Sequence, residues 1–195
     1  MIFKIIALAL MLIFYVCYFG KMIAQKRKGI TTDQLGKGKT GFLKCIEITL
    51  KCTTYVLPVL QLVSIFTYSG NIRLSLRIAG AAIEFIGVAA FIASVLQMKD
   101  NWRAGVQKDS NTSLVTTGIY AISRNPAFLG FELMYIGIMI TFFNWYLWVG
   151  TGIAIVLFHL QIVNVEEDFF IAEFGDEYLK YKNKVCRYLG RKFWR

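Results

Sequence analysis

The sequence predicts an all-α integral membrane protein of about five transmembrane helices, with its N-terminus outside and its C-terminus in the cytoplasm. Three observations carry that prediction. The 195-residue chain is 56% hydrophobic with only two prolines, whereas soluble domains run at about 45–50% apolar. Five apolar blocks, 2–19, 50–69, 74–98, 127–143 and 145–164, each approach the ~17–25 residues a helix needs to cross ~30 Å of hydrocarbon. None alternates polar and apolar residues, which argues against a membrane β-barrel. Finally, Lys and Arg collect in the segments 21–44, 99–124 and 165–195. Five spans put all three on one side, and basic segments stay in the cytoplasm.

The first block has Lys4 before it and Lys21, Lys26, Arg27 and Lys28 after it, with no small-residue cleavage pattern. It therefore reads as a span with an external N-terminus and not as a signal peptide. The segment 25–41, QKRKGITTDQLGKGKTG, is polar, glycine-rich and basic, the composition of a mobile cytoplasmic loop. Pro58 falls inside the second span and removes one helical hydrogen bond, so a kink is expected there. The third span carries Glu84 among small residues that include Gly80 and Gly87, and small residues let neighbouring helices approach closely.

The connection 99–123 is long and polar, and long connections inside compact domains are usually functional. Trp102, Val106, Leu114, Val115, Ile119 and Tyr120 predict that it is packed. Only Asn144 separates the fourth and fifth spans, so 127–164 should form a tight helical hairpin. Its far ends return together, bringing Arg124–Phe128 beside Glu166–Glu167. In the tail, apolar residues at 170, 174, 178, 181, 185 and 188 have helical spacing, with a break at Gly175. An amphipathic helical tail lying on the membrane face is expected. The chain reads as one membrane domain, 1–195, made of three spans with the basic loop 21–41 (1–98) and a second half (99–195).

The net charge of +10 is spread over membrane-proximal segments. It reads as topology plus attraction to anionic membrane lipids, and no nucleic-acid partner is inferred. Cys17, Cys45, Cys52 and Cys186 form no CxxC pair and there is one histidine, so neither a metal site nor a disulfide is expected.

Arg124-Asn125-Pro126 is the first constellation with chemical content. Proline suits the first turn of a helix, whose N–H groups favour an anion, and Arg124 adds a bidentate carboxylate or phosphate binder. The bland alternative is an arginine snorkelling to headgroups. Glu166-Glu167-Asp168 sits at the expected exit of the fifth span, where acids oppose the helix dipole; a cationic partner would resolve that. Glu84 and Glu132 lie deeper, where a carboxylate is costly and a functional residue by default. His159 is seven residues before Glu166, which puts both on one helix face. Glu132 and His159 are the candidate general bases, although interhelical hydrogen bonding is the commoner role of such residues.

Taken in order, LVTTGIYAISRNPAFLG (114–130), the hairpin, EE (166–167) and FGDEYLKYKNKV (174–185) resemble the isoprenylcysteine carboxyl methyltransferase family and the related phospholipid methyltransferases. Their pattern is LVxxGxYxxxRHPxYxG, then EE, then FGxxYxxYxxxV. The resemblance covers about residues 95–189. It implies an integral membrane methyltransferase using S-adenosylmethionine, with the cofactor pocket on the cytoplasmic side, capped by the tail. It further implies that Arg124 and the first-turn amides meet the methionine carboxylate. Glu166 or Glu167 would take the ribose hydroxyls or the amino group, and Leu114, Val115, Gly118 and Tyr120 would shape the adenine pocket. Pro126 matches the motif proline, Asn125 replaces the usual histidine and Phe128 the usual tyrosine. Thr112 stands where isoprenylcysteine enzymes tend to have histidine.

The acceptor implied is a lipophilic or prenylated molecule entering from the bilayer, a carboxylate of the isoprenylcysteine type above all; a phosphoethanolamine is the alternative. Two other classes stay open: an NADPH-dependent enzyme like the sterol reductases, and a non-catalytic membrane scaffold.

Overall fold

A computed structural model describes residues 1–106 and 113–192; Lys108, Thr112 and Arg195 lie outside the described residues. The regular structure among the described residues is helical apart from two isolated bridges. Six helices follow one another: α1 Ile2–Arg27, α2 Gly41–Thr67, α3 Leu74–Met98, α4 Pro126–Thr141, α5 Trp145–Gln161 and α6 Glu167–Lys184. Four helical stretches, beginning at Ile2, Gly41, Leu74 and Trp145, are long and apolar enough to cross a membrane. The protein is an integral membrane protein.

The helix ends differ from the apolar blocks. α2 starts at Gly41, nine residues before its apolar block begins at 50, and this added stretch of about two and a half turns carries Lys44 and Glu47. Hydropathy marks where lipid begins, not where helical hydrogen bonding does. α2 runs through Pro58 as one helix.

α4 has 16 residues, roughly 24 Å at 1.5 Å per residue, shorter than a full span. It manages because most of it is sheltered by protein: Gly130, Phe131, Met134, Tyr135, Gly137 and Ile138 are buried. Its main partner is α3, and the reason is steric. A Cβ on Gly137 would lie 2.4 Å from the Glu84 nitrogen, and one on Gly87 would lie 2.5 Å from the Met134 nitrogen. Glycines at 80 and 87 thus interlock, antiparallel, with glycines at 130 and 137, so the two backbones touch. The connection 142–144 is as short as expected, but α5 leans chiefly on α2, where Gly150 admits the Leu57 side chain.

Polar contacts sort the chain ends onto two faces. On one, Lys4 Nζ donates to the Phe66 carbonyl at 3.1 Å, and the Arg77 guanidinium lies 4.5 Å from the centre of the Phe3 ring and 5.5 Å from that of Phe142. The starts of α1 and α3 and the ends of α2 and α4 therefore meet there. On the opposite face lie the described connections 28–40, 99–106 and 113–125 and the tail to residue 192, so their basic residues share a side.

The glycine-rich connection 28–40 is held in place. Ala104 N–H donates to the Thr32 carbonyl at 2.9 Å and Gln34 N–H to the Ala104 carbonyl at 2.8 Å, forming a parallel bridge. Gln25, buried at the end of α1, donates to the Trp102 carbonyl at 2.9 Å and accepts from Thr32 at 2.6 Å. A composition that suits a loose loop here makes a lid, because its backbone finds partners in 102–104.

α5 does not end at 164. It passes through a π turn, Ile162–Glu166, directly into α6. Gly175 breaks α6 as expected, with φ of 50°, a conformation that favours glycine. The tail's aromatic stripe packs inward: Tyr178, Tyr181 and Val185 form a cluster with Leu114, Phe170 and Phe174.

Candidate functional site

The site is built where the start of α4, the π turn and the tail converge. Pro126 opens α4 and no side chain caps it, so the first-turn N–H groups are left for other acceptors. Segment 119–125 is stitched to the tail. Arg124 N–H donates to the Cys186 carbonyl at 3.1 Å and Gly190 N–H to the Ile122 carbonyl at 2.7 Å. Asn125 Nδ2 donates to the Arg187 carbonyl at 3.0 Å, and Tyr181 Oη to the Tyr120 carbonyl at 2.6 Å.

Arg124 and the acidic pair are brought together, in contact. Arg124 Nη2 lies 3.0 Å from Glu167 Oε1, Nη1 donates to Tyr178 Oη at 2.8 Å, and Nε donates to the Val185 carbonyl at 3.1 Å. Glu167 also receives Lys182 at 2.7 Å and Arg187 at 2.8 Å. It sits beyond the apolar span. Burial alone would push its carboxyl up, but the bonds from Arg187 and Lys182 and the charge of Arg124 hold it down at about 2. Glu167 is thereby the hub that ties Arg124 to the tail. Burial pushes the Tyr178 hydroxyl up to about 12 against the Arg124 charge, so it stays a neutral phenol at physiological pH.

Glu166 turns the other way. It lines a cavity of about 350 Å³ together with Tyr120, Arg124, Asn125 and Phe128. Consecutive residues on a helix point about 100° apart, which divides the labour: Glu167 secures the tail and Glu166 faces the cavity. The acidic run that looked unfavourable at a helix end is thus inside a continuous helix. Glu166 neighbours a second buried carboxylate, Glu47 of α2, which accepts from Gly36 N–H at 2.6 Å and from Gln161 Nε2 at 3.2 Å.

From its polar end the cavity continues between α1 and α2. Met11, Tyr15 and Phe19 of α1 line it opposite Thr54, Tyr55 and Pro58 of α2. Its roof is the clamped pair of segments 33–35 and 102–106, and the Asp33–Lys51 ion pair stands in its wall.

The other expected site residues are placed as follows. Leu114 packs on the tail cluster. Gly118, with φ of 61°, abuts the Gln97 side chain, which a Cβ would meet at 2.7 Å. Val115 and Pro126 do not line the cavity. Nor do Glu132 and His159: His159 is exposed and its Nδ1 lies 2.9 Å from Tyr188 Oη, while Glu132 is buried with Oε1 unpartnered. His159 and Glu166 were expected on one helix face; the intervening π turn, with its i→i+5 bonding, shifts the register.

Sequence reasoning passed over Asp33, Glu47, Lys51 and Arg103. A signal existed for two of them, because Glu47 and Lys51 are charges next to the head of an apolar block, where headgroup contact is the default reading.

Comparison with known proteins adds a family. The family model described as phospholipid methyltransferase matches residues 76–177. Among curated proteins, protein-S-isoprenylcysteine O-methyltransferase of Saccharomyces cerevisiae is 38% identical over 79 residues, 40% of this chain and 33% of that protein. The human protein of the same name is 30% identical over 112 residues, 56% of this chain and 39% of that protein. The chain therefore spans between a third and two fifths of the length of these relatives.

Proposed function

Since the chain belongs to the phospholipid methyltransferase family, we propose that it is a membrane methyltransferase using S-adenosylmethionine and acting on a lipidic or prenylated carboxylate, as in an isoprenylcysteine. The observation that carries this reading is the continuity of one cavity, polar at Arg124, Asn125 and Glu166 and apolar between α1 and α2. A polar end suits a nucleoside donor, and an apolar corridor opening towards lipid suits the tail of an acceptor.

The residues present fit such a donor. Glu166 lines the cavity without an ion pair among the described residues, ready for an ammonium or ribose hydroxyls. Tyr120, Phe128, Phe169 and Phe170 give aromatic walls for a flat base. The amides of Ala127 and Phe128 belong to the uncapped first turn of α4, at the cavity's edge.

When bound, the donor supplies an electrophilic methyl group on a sulfonium. The protein's part is to align an acceptor atom with the carbon–sulfur bond and to exclude water, and positioning of that kind can be worth about 7–11 kcal/mol. The lid formed by 33–35 and 102–106 and the aromatic walls do the excluding. A carboxylate acceptor needs no proton removed. The candidate bases Glu132 and His159 stand off the cavity, which favours a carboxylate over the amine of a phosphoethanolamine, whose proton a base must take. The shared side of the basic segments supports a cavity mouth facing the cytoplasm.

Isothermal titration of the detergent-solubilised protein with S-adenosylmethionine and S-adenosylhomocysteine tests the donor. Binding of NADPH in their place would move the protein to the reductase class. Transfer of labelled methyl to a prenylcysteine, and not to phosphatidylethanolamine, tests the acceptor.

A further inference from the structure

Most charges at the polar end of the cavity have their counter-charges within the protein. Lys51 is paired with Asp33, and Arg124 is paired with Glu167 and further tied to Tyr178 and the Val185 carbonyl. The cation left over is Arg103. Arg103 lines the cavity. Its Nη1 donates to the carbonyls of Asp100 at 2.5 Å and Trp102 at 2.8 Å. No described carboxylate ion-pairs with it, and Asp100 is occupied by Lys21 and Lys28. Its Nε and Nη2 have no partner among the described residues.

The position of Arg103 is set before any ligand arrives. Trp102 is buried, with its carbonyl also taken by Gln25, and Ala104 is bonded on both sides to the lid. Among the described residues, this half-buried guanidinium is met by two neutral carbonyls and feels the Asp100 charge only without an ion pair, so it is incompletely compensated. A carboxylate supplies two acceptors in the geometry the free edge of the fork offers. Arg124 cannot do this equally well, since Glu167 already neutralises it, and the first-turn amides of α4 carry only partial charge.

We infer that Arg103 is the carboxylate receptor of this cavity. The inference rests on the methyltransferase reading, under which two ligands bring a carboxylate: the donor, through its methionine end, and the acceptor. Both present the same chemistry to Arg103. Glu166, buried beside Glu47, is the hydrogen-bonding carboxyl that the ammonium or hydroxyls of the same ligand would meet.

The test compares wild type, Arg103→Lys and Arg103→Ala by titration. The probes are S-adenosylhomocysteine, methylthioadenosine (which lacks the amino-acid end), N-acetyl-S-farnesylcysteine and its methyl ester. Arg103→Ala is expected to weaken one carboxylate probe at least tenfold while leaving its carboxylate-free counterpart within twofold, with Arg103→Lys intermediate. Loss of S-adenosylhomocysteine alone assigns Arg103 to the donor; loss of the farnesylcysteine acid alone assigns it to the acceptor. Unchanged binding of both acids overturns the inference, and so does equal loss for acid and carboxylate-free probes, which is what a merely structural role in the lid gives. If wild type binds neither adenosine probe, the methyl-donor reading itself has failed, a result distinct from any pattern among the variants.

Discussion

Replacing Glu167 with alanine should unseat the tail and destabilise the protein far more than any surface ion pair could. The side chains of Arg124 and Glu167 are only 4% and 5% exposed, so removing the carboxylate strands a buried guanidinium. Stranding one partner of a buried pair costs about 3–5 kcal/mol. Lys182 and Arg187, at 30% and 32% exposure, can swing to water, and each adds at most about 1 kcal/mol. The loss is therefore dominated by Arg124. The control is Asp100→Ala, which removes a half-exposed carboxylate from Lys21 and Lys28 and should change the melting temperature far less.

The assay is thermal unfolding in detergent, with limited proteolysis to follow the tail beyond Lys180. The carboxyl of Glu167 is depressed to about 2 in the folded protein. Its contribution is then complete above the unfolded carboxylate value and lost only as pH falls through the folded one. The gap between wild type and Glu167→Ala should therefore stay constant between about pH 6 and pH 8. Adding Arg124→Ala to Glu167→Ala should cost less than the two separate losses summed, because one interaction is removed twice. Additive losses, or a fall for Asp100→Ala as large as that for Glu167→Ala, would refute the hub assignment.

Three further outcomes are expected. Gly137→Ala forces a methyl group against Glu84 and Gly80 backbone atoms at 2.4 and 2.6 Å, an overpacking of about 3 kcal/mol that outweighs about 1 kcal/mol of helix propensity. Gly152→Ala, with nothing within 4 Å, should instead raise the melting temperature, and equal melting shifts for the two would count against the α3–α4 interlock. Thr54→Trp narrows the passage between α1 and α2; it should raise the acceptor KM several-fold while S-adenosylhomocysteine titrates as in wild type, and a matching loss of donor affinity would place the corridor elsewhere. Glu132→Gln and His159→Ala should leave methyl transfer to a prenylcysteine acid within about twofold, since that chemistry needs no base; a large kcat loss in either would return that residue to the reacting centre.

Much of this was legible in the sequence because it rests on local rules. Helix positions followed from hydropathy, the shared side of the basic segments from their spacing, and the meeting of Arg124 with Glu167 from a connection too short to do anything but turn back. The glycines of α3 pointed to close packing, although their partners Gly130 and Gly137 emerged only with the fold. What escaped the sequence depended on backbone hydrogen bonding between distant segments. Nothing in KGITTDQLG announces that Thr32 and Gln34 will pair with Ala104, since that pairing uses main-chain groups every residue has. The π turn was invisible for the same reason, and with it the separation of His159 from Glu166. The division between Glu166 and Glu167 is a matter of helix phase, which a motif of two identical letters does not record.

The division of the cavity between the two halves of the chain bears on what the family match can say about substrate. The match begins at residue 76, and the groups that suit the donor, Tyr120, Asn125, Phe128 and Glu166, all follow it. The corridor between α1 and α2 and the Asp33–Lys51 pair in its wall come from residues before it. The two are joined at the lid, where Thr32 and Gln34 bond to Ala104, and beside Glu166, where Gln161 bonds to Glu47. A family defined by the second half can therefore keep one donor while the first half changes the shape and charge of the acceptor's path. Discrimination among apolar tails is weak, about 1–3 kcal/mol for each methylene misfit, so under the proposed activity the acceptor's head would carry most of the choice. Acceptor specificity in this protein should accordingly follow the lid and the first two helices when they are exchanged with a relative's, while donor affinity stays with the second half.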